Sequence, residues 1–247
     1  MKTTLFQGDC LEVLDQIPDG VVDLCLTDPP YGTTHLEWDC LVPLGPMWDK
    51  LNRVLKKDGA TILFSKQPFT TILNNSRLSS FKQELIWVKN NFDNPMMAKR
   101  KHLNIIENLS IFYDKQPTYF PQGLTENYST TKQGKGKSLS CRSTRANEYD
   151  QEFKNYPKNV LYYDRDTDNL HPTQKPVALL SYLIKTYTRT GETVLDFTMG
   201  SGSTGVAAKL NKRSFIGIEK DLNYFNKAKK RIEDVEVQED LFSEVNL

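Results

Sequence analysis

The chain has 247 residues, with 32 Lys or Arg against 31 Asp or Glu, so its formal net charge is +1. Hydrophobic residues make up 38 % and charged residues 26 %, a composition typical of a globular protein rather than of a disordered or collagen-like chain. No stretch approaches the roughly 18 apolar residues of a membrane span, and the first ten residues show no secretory signal. We therefore expect a cytoplasmic protein that does not bind membranes.

The near-neutral total hides an uneven distribution of charge. Residues 1–88 carry 8 Lys or Arg against 11 Asp or Glu, residues 89–145 carry 10 against 4, and residues 146–247 carry 14 against 16. We call residues 89–145 the basic block. The four cysteines have no CxxC spacing and the three histidines are scattered, so we predict reduced cysteines and no metal site.

In the first half of the chain, short apolar runs alternate with turn signals and a helical stretch. The predicted elements are a short strand before Gly8, a strand at 21–26, a helix at 47–57 that ends at Asp58-Gly59, and strands at 60–65, 83–89 and 108–115. The strand at 21–26 must end at Pro29-Pro30, because proline cannot continue a β-ladder. This alternation is typical of an α/β sheet with mostly parallel strands.

Residues 116–157 change character, because prolines and a run rich in Gly, Ser, Thr and Lys replace the apolar pattern. We predict a long loop or an inserted subdomain there. The α/β pattern then returns. Its predicted elements are a helix at 177–187, strands at 193–197 and 214–219, and helices at 206–210 and 221–232.

The first candidate site is a glycine-rich turn, Gly200-Ser-Gly-Ser-Thr-Gly205, between a predicted strand and a predicted helix. Glycines allow the backbone to approach a ligand closely, and Glu219 at the end of the next strand can accept hydrogen bonds from ribose hydroxyls. The turn lacks the Gly-Lys-Ser/Thr ending of a phosphate-binding P-loop. The pattern predicts a cofactor that contains a nucleoside.

The second candidate site is Asp28-Pro29-Pro30-Tyr31, at the carboxyl end of a predicted parallel strand. The Asp28 carboxylate and the Pro29 carbonyl could accept both hydrogens of an exocyclic amino group, which favours a pyramidal nitrogen with an available lone pair. The Tyr31 ring could stack on the base, a contact worth about 1–3 kcal/mol. The alternative is an ordinary Asp-Pro turn with a surface tyrosine.

Both motifs, in this order, resemble those of the β group of amino-methylating DNA methyltransferases. The matching segments are TDPPYG (27–32), HPTQKP (171–176), VLDFTMGSGSTG (194–205) and FIGIE (215–219). The resemblance implies a Rossmann-like, mostly parallel sheet with a circularly permuted motif order and an inserted target-recognition region. The chain departs from the family at one point, since Asp196-Phe197-Thr198 stands where members commonly have Asp-Pro-Phe.

By resemblance, the cofactor is S-adenosylmethionine and the target base is held by Asp28, Pro29, Pro30 and Tyr31. The implied cofactor residues are Asp9, Cys10, Thr173, Gln174, Lys175, Asp196, Phe197, Gly200, Ser201, Gly202, Thr204 and Glu219. Asp9 would lie beside the adenine and Glu219 on the ribose. Thr173, Gln174 and Lys175 would shape the methionine end, where a helix N-terminus favours a carboxylate. His171 is as readily a packing or capping residue.

The resemblance also implies DNA as the partner, and the basic block suits contacts with phosphates. The candidate DNA-binding residues are Lys99, Arg100, Lys101, Lys132, Lys135, Lys137, Arg142 and Arg145. Residues 1–115 would form the catalytic half, 116–157 the target-recognition insertion and 158–247 the cofactor half of the same domain. A homodimer and a place in restriction-modification are further expectations from the family.

The reaction expected from the resemblance is methylation of adenine N6 at a specific site, because Asp rather than Ser before Pro-Pro is commoner among adenine enzymes. Cytosine N4 remains an alternative. A catalytically silent DNA-binding relative and a nicotinamide dehydrogenase are others, although the intact DPPY motif disfavours the former and is unexplained by the latter. Methylation of a cytosine carbon is disfavoured, because no cysteine follows a proline.

Overall fold

The computed structural model describes residues 1–32, 41–93, 95–127, 152–166 and 174–236. The chain divides into two compact units, one formed by residues 1–120 and 159–247 and the other by residues 121–158. The candidate sites in the described residues lie in the larger unit. In the smaller unit, strands Thr125–Glu126 and Phe153–Lys154 pair antiparallel.

The larger unit is built on one eight-stranded sheet. Its strands are β1 (Thr3–Gln7), β2 (Val22–Thr27), β3 (Leu55–Ser65), β4 (Phe81–Asp93), β5 (Asn104–Phe112), β6 (Val160–Tyr162), β7 (Thr193–Asp196) and β8 (Ser214–Glu219). They lie in the order β1-β8-β7-β2-β3-β5-β4-β6. The strands from β1 to β3 in this order are all parallel, and only β5 runs antiparallel to its neighbours β3 and β4. The expected mostly parallel sheet is confirmed.

Helices cover both faces of the sheet. They are α1 (Cys10–Leu14), α2 (Leu44–Val54), α3 (Phe69–Ser76), α4 (Val177–Tyr187), α5 (Ser203–Leu210) and α6 (Leu222–Glu233). Alternate residues of β2 serve the two faces: Leu24 and Leu26 pack in the core cluster that holds residues of α4, α5 and α6, whereas Cys25 packs in the cluster that holds residues of α1, α2 and α3. Strands buried on both faces account for the continuous apolar runs in the sequence.

The end of α2 differs from the prediction. The helix stops at Val54 instead of continuing to residue 57, because Leu55 already pairs with Val22 in the sheet. Gly59 therefore lies inside β3 and does not end a helix. A Cβ on Gly59 would lie 3.2 Å from the Asp23 carbonyl oxygen and 3.1 Å from the Lys56 carbonyl oxygen, so this glycine allows close backbone approach.

Several further elements were not predicted or begin elsewhere, among them helix α1, which was not predicted, and β5, which begins at Asn104 and not at residue 108. Helix α3 was missed because its sequence, FTTILNNS, is rich in β-branched residues and Asn, which are poor helix formers. The short strand β6 was also missed. Helix α5 begins at Ser203, earlier than the predicted residue 206, so the second half of the glycine-rich motif is helical.

Candidate active site

A cleft of about 620 Å³ opens at the edge of the sheet where β1, β2, β3, β7 and β8 have their carboxyl ends. This is the edge at which open α/β sheets bind ligands. Most of the predicted site residues that the structure describes line it. They are Asp9, Cys10, Asp28, Pro29, Pro30, Tyr31, Gln174, Lys175, Asp196, Phe197, Gly200, Ser201, Thr204 and Glu219.

Two hydrogen bonds join the two motifs, although they are about 170 residues apart in the chain. The Phe197 backbone N–H donates to Thr27 Oγ1 at 3.2 Å, and Thr198 Oγ1 donates to the Asp28 carbonyl oxygen at 3.1 Å. Phe197 stands where family members commonly have the proline of Asp-Pro-Phe. Proline has no N–H, so the first of these hydrogen bonds can form only because position 197 is not proline. The start of the TDPPYG motif and the residues just before the glycine-rich turn therefore lie side by side.

The glycine-rich loop turns at two left-handed positions, Gly200 with φ 51° and Gly202 with φ 76°. A Cβ on Gly200 would meet no described atom within 4 Å, so the loop presents open backbone at this point. Gly202 lies under the loop at the N-cap of α5, and a Cβ there would lie 3.0 Å from Ala228 Cβ. Gly202 is not a lining residue, and its contribution is to the close packing of α5 against α6.

Asp196 is a buried carboxyl group at the carboxyl end of β7. It accepts a hydrogen bond from the Thr198 N–H at 3.2 Å, and hydroxyl groups of Thr204 and Thr27 also interact with it. Burial raises the pKa of Asp196 and these hydrogen bonds lower it. The effect of burial is the larger, and the pKa is about 7. The group therefore changes charge near neutral pH.

Glu219 is held in place by the backbone. Its two carboxylate oxygens accept hydrogen bonds from the N–H groups of Gly200 at 2.9 Å and Asp221 at 2.8 Å. Burial raises the pKa of Glu219, while these hydrogen bonds oppose the change. Each oxygen keeps a further lone pair with which it can accept a hydroxyl from a ligand.

The Asp9-Cys10 pair lies at the start of α1. Asp9 caps that helix through the Leu11 N–H at 3.0 Å, and Lys220 Nζ lies 3.2 Å from its other oxygen. Burial raises the pKa of the Cys10 thiol to about 11, so the sulfur is neutral at physiological pH. This end of the cleft is suited to polar contacts with a ligand.

Both carboxylate oxygens of Asp28 have partners. The Tyr31 hydroxyl donates to Oδ1, and the Lys175 ammonium donates to Oδ2. Burial raises the pKa of Asp28, and the positive charge of Lys175 opposes that shift. The Tyr31 ring stacks on Phe69 with their centroids 5.5 Å apart.

Four charged residues behind Asp28 were missed as site residues. Glu107 on β5, Lys89 and Asp93 on β4, and Lys66 directly after β3 form ion pairs with one another, and Glu107 also pairs with Lys175. Lys89 belongs to the basic block, but its side chain is only 1 % exposed and is therefore not available for contact with phosphates. The sequence signal that could have revealed these residues is Glu107, a single glutamate within the apolar run of β5.

The other predicted residues lie elsewhere. Lys99, Arg100 and Lys101 are exposed in the connection between β4 and β5. Thr173, His171 and the candidate DNA-binding residues Lys132, Lys135, Lys137, Arg142 and Arg145 lie outside the described residues. The part of the chain that the structure describes holds no group of three or more His, Cys, Asp or Glu placed to bind a metal ion, and none of its helices could cross a membrane.

The chain is similar to known proteins in both sequence and fold. A family model described as DNA methylase matches residues 22–230. The type II methyltransferase M.HinfI of Haemophilus influenzae is 25 % identical to this chain over an alignment 258 residues long. The alignment covers 94 % of this chain and 68 % of the relative.

Two solved structures illustrate the likeness in fold. A complex of M1.HpyAVI with SAM is 23 % identical, with a TM-score of 0.65 over 93 % of this chain and 98 % of that one. The PvuII DNA methyltransferase, described as cytosine-N4-specific, is 16 % identical, with a TM-score of 0.70 over 98 % and 89 % of the two chains. The expected methyltransferase fold is confirmed.

Proposed function

Because the chain belongs to the N6/N4 family of DNA methylases, we propose that it transfers a methyl group from S-adenosylmethionine to the exocyclic amino group of a base extruded from DNA. Adenine N6 is the proposed acceptor. The observation that carries this proposal is the pair of hydrogen bonds between the two motifs, Phe197 N–H to Thr27 and Thr198 hydroxyl to Asp28. They bring the DPPY motif and the glycine-rich loop together at one cleft, which supports a joint role for the two motifs.

The cleft suits S-adenosylmethionine in size, shape and charge. Its volume of about 620 Å³ is in the usual range for small-molecule sites, and the backbone at Gly200 is open to a ligand. The cofactor supplies an electrophilic methyl group on a positively charged sulfonium. The acidic side chains Asp9, Asp196 and Glu219 line the cleft, as a cationic ligand requires.

We assign the cofactor residues by their chemistry. Glu219 accepts the ribose hydroxyls with the lone pairs that its two backbone hydrogen bonds leave, and Asp9 and Cys10 lie by the adenine. Asp196, ionised above about pH 7, attracts the amino group of the methionine part. Thr173 and Gln174 belong to the methionine end.

Asp28 prepares the acceptor nitrogen. An aromatic amine is a weak nucleophile, and hydrogen bonds from its N–H groups to Asp28 and to the Pro29 carbonyl favour the pyramidal form. An amino nitrogen that forms a fourth bond gains positive charge and must release a proton. A nearby carboxylate whose pKa is raised by burial stabilises that charge and accepts the proton.

Contact with DNA is assigned to the basic block. Strands β4 and β5 extend beyond β3, since Ser65 at the end of β3 pairs with Asn108 whereas Asp93 pairs with Asn104. The connection with Lys99, Arg100 and Lys101 therefore projects from the edge that holds the cleft. Its charges contact phosphates, and residues 116–157 read the target sequence. These contacts offset the few kcal/mol that extrusion of a base costs.

Cytosine N4 is the second candidate acceptor. The PvuII enzyme, which shares the fold, is described as cytosine-N4-specific, whereas Asp28 before Pro-Pro favours adenine. The deciding experiment is incubation with S-adenosylmethionine labelled in the methyl group and mixed-sequence DNA, followed by digestion and analysis of the nucleosides. N6-methyl-2′-deoxyadenosine is the expected product. N4-methyl-2′-deoxycytidine would reassign the base, and unlabelled DNA would refute the activity.

A further inference from the structure

A cluster of charges lies behind the DPPY motif, and the proposed function uses only one of its members, Asp28. The cluster consists of Asp28, Glu107, Asp93, Lys66, Lys89 and Lys175, and we call it the buried charge cluster. Its three carboxylates and three ammonium groups balance in charge. The side chains of Lys89, Glu107 and Lys175 are 1 %, 7 % and 8 % exposed.

Glu107 is the centre of the buried charge cluster. Its Oε1 lies 3.2 Å from Lys66 Nζ and 3.4 Å from Lys89 Nζ, and its Oε2 lies 3.3 Å from Lys175 Nζ. Asp93 closes the cluster on the far side, with an oxygen 2.9 Å from Lys66 Nζ and another 2.8 Å from Lys89 Nζ. The Glu107 side chain is thus fixed by ammonium groups from three separate segments.

Burial of the charges on Lys89, Glu107 and Lys175 contributes little to stability. Desolvation offsets most of the attraction within a buried ion pair, and apolar replacements of similar volume are often as stable. The cluster touches the surface of the cleft at Asp28, Lys175 and Lys66. A role in orienting the site therefore explains its composition better than a role in holding the fold.

The geometry points to Glu107 as a positioning residue: through Lys175 it fixes Oδ2 of Asp28, and only Oδ1 exchanges its partner. Oδ1 is paired with the Tyr31 hydroxyl in this structure. The base amino group takes the place of that hydroxyl, and the tyrosine ring is released for stacking. This inference rests on the proposed function, since it names the groups that aim Asp28 at the acceptor nitrogen.

The charges that face Asp28 predict effects of opposite sign. Lys175 lowers the pKa of Asp28, Glu107 raises it, and Tyr31 lowers it through its hydrogen bond. Asp196 is the further acidic neighbour of Asp28. Loss of the charge on Glu107 therefore lowers the pKa of Asp28, whereas loss of the charge on Lys175 raises it.

The test compares Glu107→Gln and Lys175→Gln with the wild type in methyl transfer to DNA, measured as kcat and KM from pH 5 to 9. Glu84→Gln is the matched control. Glu84 lies on β4 and accepts a hydrogen bond from Asn108 Nδ2 at 2.9 Å, outside the buried charge cluster. We expect Glu107→Gln to lower kcat by about 10- to 100-fold, as loss of an orienting partner does. The affinity of Glu107→Gln for the cofactor, measured by calorimetry, differs from that of the wild type by less than about threefold.

The pH profile separates a positioning role from a merely structural one. The acid limb of kcat moves to lower pH in Glu107→Gln and to higher pH in Lys175→Gln. Equal kcat in Glu107→Gln and the control, or acid limbs that do not move in opposite directions, would overturn the inference. If Glu107→Gln does not fold, Glu107→Asp takes its place, because the shorter side chain keeps the charge but withdraws it from Lys175, and a kcat equal to that of the control refutes the inference. A wild type that leaves DNA unmethylated would instead refute the proposed function.

Discussion

Substitution of Asp196 by Asn is expected to stabilise the ligand-free protein at alkaline pH. The pKa of Asp196 is about 7 in the folded chain against an ordinary value of 3.8. Between these values the folded state binds more protons than the unfolded state, so its stability falls as pH rises from about 4 to 7. Asn keeps an oxygen that can accept the Thr198 N–H but carries no charge.

The size of the effect follows from the shift in pKa. A shift of about three units corresponds to about 4 kcal/mol at pH 8. Water in the open cleft reduces that figure, so we expect the stability advantage of Asn over Asp to grow by about 1–3 kcal/mol between pH 5 and pH 8. In a chain of this length, the difference in melting temperature grows by roughly 2–10 °C.

The assay is thermal unfolding of the ligand-free protein, followed by circular dichroism at pH 5 and pH 8. Asp15→Asn is the control, because Asp15 is exposed and forms a surface ion pair with Lys50, a kind of pair worth less than about 1 kcal/mol. A gap between wild type and Asp196→Asn that is the same at both pH values would refute the reasoning. Calorimetry at pH 8 should also show weaker cofactor binding by the variant, which would link the cost of the buried carboxylate to its proposed role.

Three further predictions concern the site and its DNA contacts. Asp28→Asn should lower methyl transfer at least 100-fold and leave the cofactor dissociation constant within about threefold; parallel loss of both would contradict its role. Glu219→Gln should weaken cofactor binding by about 10-fold, because a charged acceptor is lost; an unchanged dissociation constant in calorimetry would remove it from the ribose site. Alanine at Lys99, Arg100 and Lys101 together should lower the slope of log affinity against log salt by up to about three. An unchanged slope would mean that this connection does not contact phosphates.

The sequence predicted the cleft well because its motifs lie where parallel strands end. Once β2 and β7 were recognised as strands, Asp28 and Asp196 had to lie at the same edge of the sheet. The short-range signals at this edge are also strong, since prolines end β2 and glycines begin the turn after β7.

The errors arose where tertiary contacts override local preference. The start of β3 at Leu55 depends on its pairing with Val22, which no local pattern shows. The contacts of Glu107 with Lys66, Lys89 and Lys175 likewise join residues from distant parts of the chain. The role of a lone charged residue in an apolar strand depends on which other strands lie beside it.

The pairing of β2 with β7 has a consequence for the synthesis of the protein. Leu24 in β2 pairs with Val194 in β7. Strand β2 therefore completes its pairing only when β7, about 170 residues later in the chain, has left the ribosome. Contacts so distant in sequence make folding slow, because a long loop must close before they form. Until β7 has been synthesised, β2 therefore has an unpaired edge, and the cleft between the two strands cannot assemble.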